Sequence, residues 1–178
     1  VEAFTLTEVL ITVVIVGILS AIALPNYLNQ VRRTRQSEAA AILTQIQNTL
    51  VAYTDENMTT DTACINQSGV LRWGDLNSIA PIMTNEGPAN CNKTLTESIT
   101  IPNESYTIER RSTDKTTNTS SDYFSFIAKP VGISENSPDY SKLIVQACVN
   151  LSDGSSDLKI GLGPGGSTSN LSQLLCTQ

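Results

Sequence analysis

Apolar and polar residues follow three successive patterns along this chain. From Phe4 to Leu24 the sequence FTLTEVLITVVIVGILSAIAL is apolar on every side, with Glu8 as its one charge. A helix over this run spans about 32 Å, the hydrocarbon thickness of a bilayer. From Asn26 to about Tyr53 the pattern becomes one-sided. Val31, Ala39, Ile42, Ile46, Leu50 and Tyr53 recur at three- and four-residue steps, while Gln30, Arg33, Ser37, Gln45 and Asn48 take the other face. The two stretches predict one helix of about 50 residues, roughly 75 Å long. Its second half carries a single apolar stripe and needs a single partner surface.

The third pattern is shorter in period. Residues 57–101 show no clear periodicity, apart from a short helix expected over Gly74–Ile82. Tyr106–Arg111 and Tyr123–Lys129 are aromatic and β-branched with partial alternation, and Lys142–Leu151 is the most apolar run. Asp153-Gly154 marks a turn before a fourth strand at Asp157–Leu162. These runs predict a small antiparallel sheet packed on the helix stripe, an α+β fold. The chain divides into an apolar helix segment (1–25), an amphipathic half (26–56), a connecting region (57–104) and the sheet with its tail (105–178).

Composition narrows the chemistry. The chain has 178 residues, a formal charge of −6 and no histidine. The commonest general base and metal ligand is therefore missing. No Ser/His/Asp set, metal-ligand cluster or nucleotide motif occurs, so neither catalysis nor a cofactor is expected. The glycine-rich tail Gly161–Asn170 lacks the lysine of a phosphate-binding loop, and Asp153 with Asp157 lacks the full calcium-loop pattern. The acidic balance disfavours nucleic acid as a partner. A weak contact between DNA phosphates and Arg32, Arg33 and Arg35 is a minor alternative.

Glu8 is the informative residue of the apolar run. An acid at membrane depth costs roughly 2.5–3.5 kcal/mol and calls for a partner. Near a helix start it can instead snorkel and complement the helix N-terminus. The segment is too long for a signal-peptide core and carries an acid. No basic stretch precedes Phe4, so a leader is expected to have been removed or to lie outside this sequence. The three arginines after the span would by themselves place the rest of the chain in the cytoplasm. The wide-spaced cysteines and the Ser/Thr-rich remainder favour export.

The run Phe4-Thr5-Leu6-Thr7-Glu8, with Gly17 nine residues past the acid and Pro25 eight past that, resembles the N-terminus of mature type IV pilins and type II secretion pseudopilins. The match covers roughly the first thirty residues and weakens towards Glu56. The resemblance implies a stalk helix under a sheet head and a homopolymeric filament. It also implies residence in the inner membrane before assembly, a prepilin peptidase and a membrane assembly machinery as partners, and a cell-surface destination. It implies that Glu8 pairs with the N-terminal amine of a neighbouring subunit. The stretch between Gly17 and Pro25 is then helical in the bilayer and loosened in the filament, as the backbone effects of glycine and proline favour. A structural pilin is the leading expectation; a pseudopilin and a ligand-binding minor pilin at the filament tip are the alternatives.

The four cysteines allow three connectivities. The expected one joins Cys64 to Cys91 and Cys148 to Cys176. A tail loop of the second kind is common in pilins and unusual in pseudopilins. The family's N-methylated residue corresponds to Phe4, yet Val1-Glu2-Ala3 precede it, with Ala3 where the family has glycine. Modification falls on Phe4 if those three residues are leader, and on Val1 if they are mature. Mass spectrometry of the native N-terminus separates the two: N-methylated phenylalanine fixes Phe4, and a chain starting at Val1 moves the amine three residues farther from Glu8.

Overall fold

A computed structural model describes residues 5–55, 64, 71–111, 123–163 and 174–176. One helix dominates it: α1, Leu6–Asp55, 50 residues without a break. Gly17 and Pro25 both lie inside it. The next elements are α2 (Trp73–Ile79), a two-residue hairpin β1 (Met83–Thr84) and β2 (Gly87–Pro88), then β3 (Ile99–Thr100), β4 (Tyr106–Arg110) and β5 (Tyr123–Pro130). A single turn of helix, α3 (Tyr140–Leu143), precedes β6 (Val145–Asn150) and β7 (Ser156–Ile160). Strands β3 to β7 form one antiparallel sheet in sequence order. The fold is α+β, as the periodicities predict.

The helix stripe lies on one face of that sheet. Phe126 pairs with Ala147, and Ala147 pairs with Leu158, so these side chains share a face. Ala39, Leu43, Ile46 and Leu50 pack on it and are fully buried. Trp73 closes one side, its ring centroid 5.9 Å from that of Phe126 and its indole N–H donating to the Glu97 carbonyl at 2.9 Å. Tyr106 donates its hydroxyl to the Leu143 carbonyl at 2.8 Å, and burial pushes its pKa up to about 12.

Two glutamines fasten α1 to the sheet where the stripe would otherwise be apolar. The Gln47 amide donates to the carbonyls of Cys148 (2.7 Å) and Asp157 (2.9 Å), which face each other across β6 and β7. One end lower, the Gln36 amide donates to the carbonyls of Lys142 (3.0 Å) and Gly161 (2.8 Å). Both side chains are buried. They lie eleven residues apart, three helical turns within about 20° of one face.

On the sheet's other face, the described tail residues 174–176 pack over β6. Cys148 is joined to Cys176 with Cα atoms 6.1 Å apart, and Leu174 and Tyr123 pack beside the bond. Ser125 and Gln146 are also buried on this side. Strand β6 is thus enclosed on both faces, which is why its sequence VQACV does not alternate. The second pair, Cys64 and Cys91, is joined with Cα atoms 5.5 Å apart under α2. Gly74 fits there because a Cβ would lie 2.8 Å from backbone atoms of Asn90 and Cys91 and 2.9 Å from the Cys64 sulfur.

Several boundaries differ from the sequence expectation. The helix expected over Gly74–Ile82 ends at Ile79, because Ala80 precedes Pro81 and takes an extended conformation. The strand expected from Lys142 begins at Val145. Tyr140–Leu143 instead turns once as α3, and the Lys142 carbonyl serves Gln36 and the Gly163 amide. The turn at Asp153-Gly154 is present, with Gly154 at φ +72° and the Asp153 carboxylate accepting from the Ser155 amide at 2.8 Å. Most of the Gly161–Asn170 tail lies outside the described residues.

Replacing Gln47 by alanine removes the donor shared by two carbonyls and is expected to cost about 1–3 kcal/mol. Asn48→Ala, on the exposed neighbour position, is expected to stay within about 0.5 kcal/mol. Denaturant unfolding of the full chain in detergent measures both.

Candidate assembly surface

The head buries most of its large apolar residues, leaving scattered ones such as Met83, Val131 and Leu162 exposed, whereas the first half of α1 buries none. From Leu6 to Leu28 every large apolar side chain is exposed, with fractional exposures from 48% to 83%. The bare surface is on the order of 1,000 Å², against about 300–600 Å² for the largest patch of an ordinary soluble monomer. Covering it is worth about 25 kcal/mol before the costs of association. This helix is long and apolar enough to cross a membrane. Lipid tails or other apolar helices would satisfy it equally well.

Glu8 sits at the start of this surface. Thr5 precedes the first helical residue, so it occupies the N-cap and Glu8 the third position of the helix. The Thr5 amide and hydroxyl both donate to Oε2 of Glu8, at 3.0 and 2.8 Å. In return the Glu8 amide donates to the Thr5 hydroxyl oxygen at 3.3 Å. This is a reciprocal capping box, which satisfies two of the backbone or side-chain donors left over at a helix start. The carboxylate is exposed and has no cationic partner among the described residues. The sequence signature Thr-x-x-Glu was available for this assignment, and it gives Thr5 a part that the apolar pattern hides.

Of the other expected assembly residues, Gly17 and Pro25 lie on the bare half of α1, nine and seventeen residues beyond Glu8. A Cβ at Gly17 would touch nothing. The helix continues through Pro25, where the Asn26 side-chain amide donates to the Ile22 carbonyl at 3.3 Å. Phe4 and Val1 lie outside the described residues. Among the described residues, no three of His, Cys, Asp and Glu gather where a metal could be held.

No known protein-family profile matches the chain, and no solved structure gives a significant match. The architecture itself, a long apolar N-terminal helix on an antiparallel sheet, is compatible with a pilin-like fold.

Thr5→Val removes the cap while keeping the Glu8 charge. Loss of a cap costs about 1 kcal/mol, so amide exchange over Leu6–Val9 is expected to accelerate about five-fold, with the head's protection unchanged.

Proposed function

We propose that this chain is the structural subunit of a type IV pilus-like surface filament, the kind used in adhesion, motility or DNA uptake. Before assembly it is held in the inner membrane by the bare half of α1. After processing and N-methylation it is handed by an assembly machinery into a homopolymer at the cell surface, where the same half packs among neighbouring copies. Its role is structural, with no catalytic step. The observation that carries this reading is the continuity of α1, whose second half is buried in a finished head while its first half is bare. The Cys148–Cys176 tail loop favours a pilin over a pseudopilin.

In this reading Glu8 does two things. Oε2 caps its own helix through Thr5. Its other oxygen accepts the N-terminal amine of the neighbouring subunit, which sets the axial step of the filament. The acid is a cost in the bilayer and is matched by a cation in the polymer, so the charge favours leaving the membrane for the growing end.

Electron microscopy of the native cell surface, with the filament protein identified by mass, is expected to find this chain as the repeating unit. Finding it only as dispersed membrane protein would overturn the reading. Glu8→Gln keeps an oxygen for the cap and removes the charge. Truncating one partner of a buried charge pair costs about 2–5 kcal/mol, so filament yield is expected to fall at least about thirty-fold with unchanged head stability.

A further inference from the structure

Arg32, Arg33 and Arg35 follow the bare half of α1 and stand below the head. All three are exposed, and none pairs with a carboxylate among the described residues. The described cations of the head behave differently. Lys93, Lys129, Lys142 and Lys159 each face an acid. Arg72 donates to the Cys91 carbonyl, Arg110 lies over the Phe124 ring and Arg111 donates to Gln146. Among the described cations, only these three arginines meet neither an acid nor a polar or aromatic partner of the head.

The overall charge is divided in the same place. Three arginines against Glu2 and Glu8 leave residues 1–35 at +1; with −6 for the whole chain, residues 36–178 carry −7. The head begins at Gln36, whose amide holds the Lys142 and Gly161 carbonyls. A side chain on Gly163 would sit 3.5 Å from Arg33, so the rim of the head reaches this arginine without neutralising it.

Height along the helix suggests what the arginines meet. Arg32 lies about 12 Å beyond Leu24 and Arg35 about 16 Å. The polar layer of a bilayer extends about 5–8 Å past the hydrocarbon. Helical side chains lean towards the N-terminus, here towards the apolar half, and long arginine stems reach in that direction. Tyr27 is exposed just past the span, at the level where membrane proteins carry an aromatic belt.

We propose that Arg32, Arg33 and Arg35 form a collar that binds the phosphates of anionic phospholipid headgroups while the subunit is in the bilayer. This rests on the membrane-held state in the function proposed above. The collar draws the helix to the surface while the same lipids repel the −7 head, so the subunit stands upright. A DNA strand offers the same phosphates, but a long polyanion would also have to pass the acidic head; headgroups lie only at the collar.

The test uses the full chain, with carbon-13 at the arginine guanidinium carbons, in bilayers of phosphatidylcholine containing phosphatidylglycerol. Solid-state NMR reads two contacts: guanidinium carbon to lipid phosphorus, and Val13–Leu19 to lipid acyl chains. Both are expected. Each basic residue near an anionic surface is worth about a five-fold preference. Exchange of the full chain between anionic and neutral nanodiscs should therefore fall about 100-fold in selectivity for R32Q/R33Q/R35Q. It should be retained by R32K/R33K/R35K and weakened by salt. Acyl contacts without phosphorus contacts would overturn the collar and leave the membrane-held state standing. Absence of both would overturn that state and the collar with it. Arginine contacts to carboxylates of a second, separately labelled copy, or capture of duplex DNA by the membrane-held chain with no contact to lipid phosphorus, would also overturn the collar.

Discussion

A single helix longer than its own domain is the constraint from which the other features follow. The sheet can cover only the second half of α1, and that half meets it through one stripe. The first half has no covering surface in its own chain. Hydrophobic burial is non-directional, so a bare apolar rod accepts either lipid or protein. What distinguishes the two environments is polar: a carboxylate at one end of the rod and a group of arginines at the other. In the proposed function, apolar area supplies the drive in both settings and these few charges decide between them.

The head must then hold firmly to a rod of which half lies outside it. Gln47 does this with bonds to carbonyls of β6 and β7, and Gln36, three turns away, with bonds to the Lys142 carbonyl of α3 and the Gly161 carbonyl just past β7. Apolar contacts alone would allow the helix to slide along or roll on the sheet. Two buried amides, each shared between two carbonyls, tie its height and its rotation to β6, β7 and the segments that flank them. Buried polar groups of this kind add specificity because leaving them unpaired is costly. The far face is closed separately by the tail bond on Cys148, so β6 lies at the centre of a helix, sheet and tail sandwich.

Much of this was legible in the chain. A 21-residue apolar run followed by a three- and four-step stripe has no economical solution except a long helix. Two aromatic and β-branched runs, one strongly apolar run and the run after the Asp153-Gly154 turn foretold the four longer strands of the sheet. Other features were hidden for identifiable reasons. Nothing in the sequence singles out Gln36 and Gln47, since their worth depends on carbonyls more than one hundred residues away. Strands β1, β2 and β3 have two residues each, too few to show a period. The apolar run Leu143-Ile144-Val145 looks like uninterrupted strand, and only the use of the Lys142 carbonyl by Gln36 and Gly163 breaks it. Thr5-x-x-Glu8 has the spacing of a capping box, but it opens an apolar run in which an acid is also a membrane cost.

The tail's position on the sheet face opposite the helix separates two kinds of sequence constraint. Residues beneath the sheet answer to the rod and, in the proposed filament, through it to every neighbouring copy. Residues above it answer only to the strand they cover. In the proposed filament, a chain arranged this way can change the face around Cys176 and Leu174 without touching the stripe that holds its rod, so each altered version can still be added to a lattice built from the old one.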